Sequence, residues 1–129
     1  MNMELKMLAW SIVLGLVQIA IAASLATNQR GFAWGVGARD GTPEPVTPLA
    51  ARLGRASANF LETFPLFAAA VLAVIAAGVA DERTAIGAQM YFWARVAYLP
   101  AYAAGVPYAR TLAWAVSITG LIFLVMALF

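Results

Sequence analysis

The chain contains no cysteine and no histidine, and its 129 residues include only 8 basic and 6 acidic side chains. Without cysteine it has neither a disulfide framework nor a cysteine nucleophile. Without histidine it has neither a Cys₂His₂ or HExxH metal site nor a Ser-His-Asp triad. We therefore expect no bound metal. Eight basic residues are also too few for a surface that binds nucleic acid, so none is expected as a partner.

The sequence is instead rich in hydrophobic residues, which form long apolar segments. Hydrophobic residues make up 64% of the chain and the mean hydropathy is +0.84, whereas soluble domains have about 45–50% apolar residues. Each of four apolar segments reaches the roughly 20 residues that cross a bilayer. These segments predict helices at about residues 5–27, 48–79, 84–104 and 108–129, joined after the first by a Gly- and Pro-rich loop at 28–47. The fold class is therefore an all-α membrane protein, with residues 1–129 as a single four-helix transmembrane domain.

A secretory signal peptide is the competing interpretation of the first segment, because Ala22–Ala26 offers small residues near a cleavage point. The apolar stretch exceeds the roughly 7–15 residues usual for such a peptide, and arginines follow it rather than precede it. A first transmembrane helix is thus favoured.

The few charges orient the four spans. One side of the membrane receives five basic residues and the other receives two: Arg30, Arg39, Arg52, Arg55 and Arg110 against Lys6 and Arg83. The positive-inside rule then puts the long loop in the cytoplasm and both termini on the opposite side. We expect an integral membrane protein of a bacterial inner membrane. Snorkelling to the interface is sufficient to explain Arg30, Arg39 and Arg52.

Polar residues recur at helical spacing within two of the apolar segments. Arg52, Arg55, Asn59 and Glu62 follow one another at intervals of 3, 4 and 3, and Arg95, Tyr98 and Tyr102 at intervals of 3 and 4. Such spacing places each set on one face of a helix. An ionisable group inside a membrane helix is a functional-site hypothesis by default. A structural ion pair between Glu62 and Arg95 is the plainer interpretation and does not exclude ligand contact.

Arg55 and Arg110 point to an anionic ligand. Both fall in early turns of predicted helices, where the helix dipole disfavours a cation and favours an anion. Two helix N-termini with several guanidinium groups suit a small polyanion such as a peptide carboxylate. Glu62 and Asn59 would then receive an amine and an amide of the same ligand. The spacing thus indicates a cytoplasm-facing site for a small charged molecule.

Two segments of the chain carry longer motifs: Arg55-Ala56-x-x-Asn59-x-x-Glu62-Thr63-Phe64-Pro65-Leu66-Phe67, and Arg95-Val96-Ala97-Tyr98-x-x-x-Tyr102 followed by a short turn and Arg110. Together they resemble the MAPEG family, the membrane-associated proteins in eicosanoid and glutathione metabolism, in a bacterial-type form similar to microsomal glutathione transferases. The resemblance covers about 60 residues. Ala58 stands where prostaglandin synthases carry an extra arginine, which disfavours prostaglandin synthesis.

The resemblance implies a homotrimer that binds glutathione between its subunits as a co-substrate, with a small apolar second substrate arriving from membrane lipid. It implies one catalytic residue, Arg110, which stabilises the glutathione thiolate. It also implies six residues that bind glutathione: Arg30, Arg55, Asn59, Glu62, Tyr98 and Tyr102. The expected activity is that of a glutathione transferase or peroxidase. The reactive thiol that the chain lacks would then come with the ligand.

Two other functions remain open at this stage. One is a noncatalytic membrane subunit that keeps the family fold. The other is a small four-span multidrug exporter, which is expected to carry an essential carboxylate in its first helix. The first helix here has no acidic residue after Glu4, so the exporter is the less favoured of the two.

Overall fold

A computed structural model describes all residues from 1 to 129 and contains only helices. They are α1 (Met3–Arg30), α2 (Phe32–Val36), α3 (Pro48–Ala77), α4 (Glu82–Ala103) and α5 (Pro107–Met126). The four long helices lie within a few residues of the segments predicted from hydropathy. α2 lies inside the segment predicted to be a loop. Its five residues follow Gly31, whose φ of 94° ends α1.

Side-chain caps start three of the long helices. Asn2 accepts a hydrogen bond from the Leu5 amide at the start of α1, and Thr47 does the same for α3, with Pro48 as the first helical residue. Asp81 and Thr84 form a reciprocal capping box at the start of α4. Each cap satisfies backbone donors that the first turn leaves free. The caps therefore fix where the long helices begin.

Three of the long helices, α1, α3 and α5, are long and apolar enough to cross a membrane. α4 has 22 residues, but it includes Gln89, Arg95 and Pro100 and is not apolar enough to join them. The surface of the chain is rich in apolar side chains such as Trp10, Leu16 and Leu112. The apolar helices and this surface indicate an integral membrane protein.

Contacts between helix ends give the bundle two distinct ends. The side chain of Gln29 hydrogen-bonds both the backbone and the hydroxyl of Thr47, and Arg52 Nη1 donates to the carbonyl oxygen of Ala103 at 3.3 Å. These contacts gather the C-termini of α1 and α4 beside the N-terminus of α3, and we call this the loop end. Far from it, Thr84 Oγ1 donates to Glu4 Oε1 at 2.6 Å. We call that the terminal end.

The core fills the middle of the bundle and the terminal end. Phe67 stacks on Tyr91 with ring centroids 4.0 Å apart, and the Tyr91 hydroxyl lies 2.9 Å from Thr63 Oγ1. α4 and α5 cross where Gly87 faces Gly120, so closely that a Cβ on Gly87 would lie 2.6 Å from the Gly120 carbonyl oxygen. Small residues of this kind let membrane helices approach backbone to backbone.

Candidate functional site

Guanidinium groups converge on one phenol ring at the loop end. Arg55 Nε donates to the Tyr102 hydroxyl at 3.1 Å, and Arg110 Cζ lies 4.8 Å from the centroid of the same ring. Cation–π contacts of this length orient an arginine without neutralising its charge. α3, the end of α4 and the start of α5 therefore present their arginines to one place.

These side chains line a cavity of about 240 Å³. Its walls are Arg52, Arg55, Tyr102, Gly105, Pro107 and Arg110. No carboxylate is among them, and the Arg52 hydrogen bond goes to a main-chain carbonyl. The lining therefore carries three positive charges and no negative one. This arrangement is suited to binding an oxyanion.

A second cavity, of about 200 Å³, shares Arg110 with the first. The remaining walls are Asn59, Tyr98, Thr111 and Trp114. This cavity lies deeper along the bundle and combines two aromatic rings with an amide and a hydroxyl. Arg110 therefore borders both a strongly cationic space and a more apolar one.

Arg95 is buried behind the second cavity. Its side chain is 1% exposed, Nη1 donates to Asn59 Oδ1 at 2.9 Å, and Cζ lies 4.0 Å from the centroid of the Tyr98 ring. Nε and Nη2 are buried without a hydrogen-bond partner. Arg95 thus holds Asn59 and Tyr98 in place at the wall of the cavity.

The ion pair expected between Glu62 and Arg95 is not formed within this chain. Glu62 is exposed on α3, and the hydrogen bond of Arg95 goes to Asn59 instead. A step of three residues turns a helix by about 300°, so Glu62 is rotated by about 60° from Asn59. Asn59 therefore faces α4, while Glu62 lies toward the outside of the chain.

Arg30 is not brought to these cavities within one chain. Its Nε donates to the carbonyl oxygen of Glu44 at 2.8 Å, and it lines a separate cavity together with Arg39. Of the seven residues predicted to bind or activate glutathione, five line the two cavities that share Arg110: Arg55, Asn59, Tyr98, Tyr102 and Arg110.

Five residues that line the two cavities are not among the predicted site residues: Arg52, Gly105, Pro107, Thr111 and Trp114. The spacing places Arg52 on the polar face of α3, but membrane orientation is sufficient to explain it. Trp114 follows Arg110 by four residues and therefore lies on the same face of α5. The same helical spacing that groups the polar residues of α3 and α4 therefore identifies Trp114 when it is extended beyond Arg110.

Apolar helices around two arginine-lined cavities define a helical integral membrane protein with a polar candidate site. The MAPEG family model matches residues 7–129, which is nearly the whole chain. The chain therefore belongs to the MAPEG family, as the two sequence segments indicated. A search of curated proteins finds no match to it.

Proposed function

We propose that this protein binds glutathione at the two cavities that share Arg110 and uses it as a glutathione transferase or peroxidase. The observation that carries the proposal is the position of Arg110, which borders a cationic cavity on one side and an aromatic one on the other. Glutathione has two carboxylates and one thiol, so it matches a site with several unneutralised guanidinium groups. Membership of the MAPEG family supports glutathione as the ligand.

The carboxylates would be bound by Arg52 and Arg55, which have no acidic neighbour in the lining of their cavity. Asn59 uses its oxygen on Arg95, so its amide nitrogen remains free to donate. Glu62 is exposed and would take the ligand amine at the edge of the site. These assignments leave Arg110 for the thiol.

Arg110 would act by favouring the thiolate. A thiol with a pKa of about 8.5 is only a few per cent ionised at neutral pH. Lowering that pKa to about 6.5 requires about 2.7 kcal/mol of differential stabilisation, within the range of a charge-assisted hydrogen bond. The thiolate would then attack an apolar electrophile, with sulfur forming the new bond as the leaving group departs. With a lipid hydroperoxide it would instead attack the terminal oxygen, so that the O–O bond breaks and the lipid alcohol departs after taking up a proton. A second glutathione would reduce the resulting sulfenic acid, giving glutathione disulfide and water.

The apolar substrate would approach through Thr111 and Trp114. Trp114 is 40% exposed on α5 and lines the deeper cavity with Arg110. α5 is one of the helices apolar enough to lie in a membrane. A molecule dissolved in lipid would therefore meet the thiol from this side, while glutathione enters from the loop end.

We further propose that α4 is the fourth membrane span. It lies beside α1 at the terminal end through Thr84 and beside α3 at the loop end through Ala103, so it covers the same thickness as the candidate spans. Arg95 is the group of α4 that would be most costly to expose to lipid, and it is buried inside the bundle. Four spans, with more basic residues at the loop end, put the long loop in the cytoplasm.

The exposed Glu62 supports assembly as a homotrimer. An ionised carboxylate facing lipid costs roughly 2.5–3.5 kcal/mol, and Glu62 lies between the exposed apolar residues Leu61 and Leu66 on α3. A neighbouring copy that covers this face would remove the carboxylate from lipid. The trimer would also complete a site that one chain leaves open on that side.

The test is catalysis by the purified protein in detergent, with glutathione and either an aryl halide or a fatty-acid hydroperoxide. We expect turnover with at least one of them, and a loss of about 100-fold in Arg110→Ala, as when an oxyanion donor is removed. Arg83→Ala changes an exposed arginine at the terminal end and serves as the control. Glutathione binding without turnover would indicate a noncatalytic subunit, and equal rates in both variants would exclude Arg110 as the catalytic residue.

A further inference from the structure

A third cavity lies apart from the proposed glutathione site, between the last turns of α1 and the segment that contains α2. It holds about 330 Å³, more than either of the cavities that share Arg110. Its apolar side is made by Ala23 and Ala26 of α1, and its polar side includes Arg30 and Arg39, with Trp34 between them in sequence. We call it the interface cavity.

Neither guanidinium of the interface cavity is neutralised by the hydrogen bonds it makes. Arg30 Nε donates to the carbonyl oxygen of Glu44 at 2.8 Å, and Arg39 donates from Nε and Nη2 to the carbonyl oxygen of Gly35 at 3.2 and 2.9 Å. Main-chain carbonyls are neutral, so they orient the arginines and leave both positive charges available. Nη1 of Arg39 and both Nη atoms of Arg30 remain free to donate to an anion.

The backbone of Arg39 has a left-handed conformation, which accompanies the hydrogen bonds of its side chain to Gly35. The φ of Arg39 is 58°, and Arg39 is the one residue other than glycine with a positive φ. A left-handed backbone is unfavourable for an arginine, and such strain is typical of ligand-binding segments. The conformation folds the Arg39 side chain back onto Gly35, which lines the same cavity.

The interface cavity lies at the depth of lipid headgroups. α1 has 28 residues and is therefore about 42 Å long, more than the roughly 30 Å of a hydrocarbon core. Its last turn, with Arg30, thus extends beyond the hydrocarbon, while Ala23 lies about 10 Å deeper. Phe32 and Val36 of α2 are 73% and 67% exposed, as expected of a short helix that rests on a membrane surface.

We propose that the interface cavity binds the phosphate group of an anionic phospholipid. The guanidinium groups of Arg30 and Arg39 donate to the phosphate oxygens, for which their planar geometry is suited. The glycerol and the first methylene groups lie against Ala23 and Ala26, and Trp34 occupies the headgroup level, where tryptophan is enriched. Arg30 then belongs to a lipid site rather than to the glutathione site of the sequence prediction.

The test measures lipid selectivity on the whole protein in neutral detergent. Pyrene-labelled phosphatidylglycerol and phosphatidylcholine with the same acyl chains are titrated, and binding is followed by energy transfer from tryptophan. Each basic side chain near an anionic lipid contributes about fivefold. We therefore expect the wild type to prefer phosphatidylglycerol by about 30-fold and the double variant Arg30→Gln/Arg39→Gln to lose that preference. An absent preference in the wild type would overturn the proposal.

Two further variants separate charge from folding. Arg83→Gln removes an exposed arginine at the terminal end and should keep the full preference. Arg30→Lys/Arg39→Lys keeps both charges and should retain the preference within about fivefold. A lysine variant as unselective as the glutamine variant would show that the two positive charges do not produce the preference, which would contradict the proposal.

Competing ligands identify the source of the phosphate. Soluble glycerol phosphate at millimolar concentration should not displace the lipid, because it lacks the acyl chains that lie against Ala23 and Ala26. Displacement at that concentration would assign the cavity to free phosphate compounds instead. Glutathione should bind the Arg30→Gln/Arg39→Gln variant as it binds the wild type. A parallel loss of glutathione binding would keep Arg30 in the glutathione site, as the sequence predicts, and would overturn the lipid proposal.

Discussion

The two ends of the bundle use their polar residues in opposite ways. At the terminal end, Glu4 is 3% exposed and accepts a hydrogen bond from Thr84, which is itself part of the cap of α4. At the loop end, Arg55 and Arg110 meet around Tyr102 beside an open cavity without a carboxylate. At the terminal end the polar side chains hydrogen-bond each other within the fold, whereas at the loop end the arginines remain available to a ligand.

The difference separates the residues that hold the helices together from those that line the candidate site. Close crossing of α4 and α5 at Gly87 and Gly120 and stacking of Phe67 on Tyr91 hold the helices together away from the site. The loop end then accommodates several like charges that would otherwise destabilise it. Substitutions at the two ends should therefore separate thermal stability from glutathione affinity.

The largest expected effect is on stability, at the crossing of α4 and α5. In Gly120→Ala the new Cβ would lie 2.8 Å from Met90 Cβ and 2.9 Å from the Tyr91 nitrogen, so the helices must move apart. Overpacking usually costs about 1–3 kcal/mol, and we expect at least the upper value here because the new Cβ meets backbone atoms of α4. We expect a lower midpoint of thermal unfolding in detergent, with unchanged glutathione affinity at temperatures where the variant is folded.

Gly54→Ala is the matched control, because no neighbouring atom lies within 4 Å of its added Cβ. Alanine in a helix is favoured over glycine by up to about 1 kcal/mol, so this variant should be as stable as the wild type or more so. Equal stability of Gly120→Ala and Gly54→Ala would contradict the close crossing.

The second prediction concerns Asn59, which bonds the buried Arg95 and also lines the second cavity. Asn59→Ala leaves buried Arg95 without its hydrogen-bond acceptor, at a cost of about 1.5–3 kcal/mol. It should also weaken glutathione binding, because Asn59 lines the second cavity. Asn59→Asp restores an acceptor for Arg95 and should recover the stability. An Asn59→Ala variant with wild-type unfolding would show that Arg95 does not depend on this contact.

The smallest effects are expected when a tyrosine hydroxyl is removed, in the core or at the loop end, by substitution with phenylalanine. Tyr91→Phe removes a buried hydroxyl bonded to Thr63 and should lower stability by about 1 kcal/mol without changing glutathione affinity. Tyr102→Phe frees Arg55 at the loop end and should weaken glutathione severalfold, with stability within about 0.5 kcal/mol of the wild type. Calorimetric unfolding and titration measure both quantities, and similar changes in the two variants would contradict a difference between the two ends.

The sequence was sufficient to predict the long helices and the grouping of five candidate site residues, because both depend on local periodicity. Apolar length marks the helices, and steps of three and four residues group Arg55 with Asn59 and Tyr98 with Tyr102. The partner of Arg95 was not predictable in the same way. It depends on which face of α3 turns toward α4, and the three-residue step from Asn59 to Glu62 is too small a rotation for spacing alone to resolve.

α2 and the position of Arg30 depend on tertiary structure rather than on periodicity. Glycine and proline correctly marked the segment 28–47 as a break between long helices, but five residues are too few for a periodic signal. Arg30 is directed toward Glu44 by the path of that segment, which the spacing of α1 does not encode. The sequence therefore predicted an arginine near the interface without predicting which cavity it lines.

The most direct measurement is calorimetric titration of the wild type and Arg110→Ala with glutathione and with S-methylglutathione, which has no ionisable thiol. If Arg110 stabilises the thiolate, glutathione should bind the wild type at least about tenfold more tightly than it binds Arg110→Ala. S-methylglutathione should bind both proteins equally and weakly. No heat with glutathione at millimolar concentration, or equal affinity for glutathione in the two proteins, would contradict the assignment of the loop end as a thiolate site.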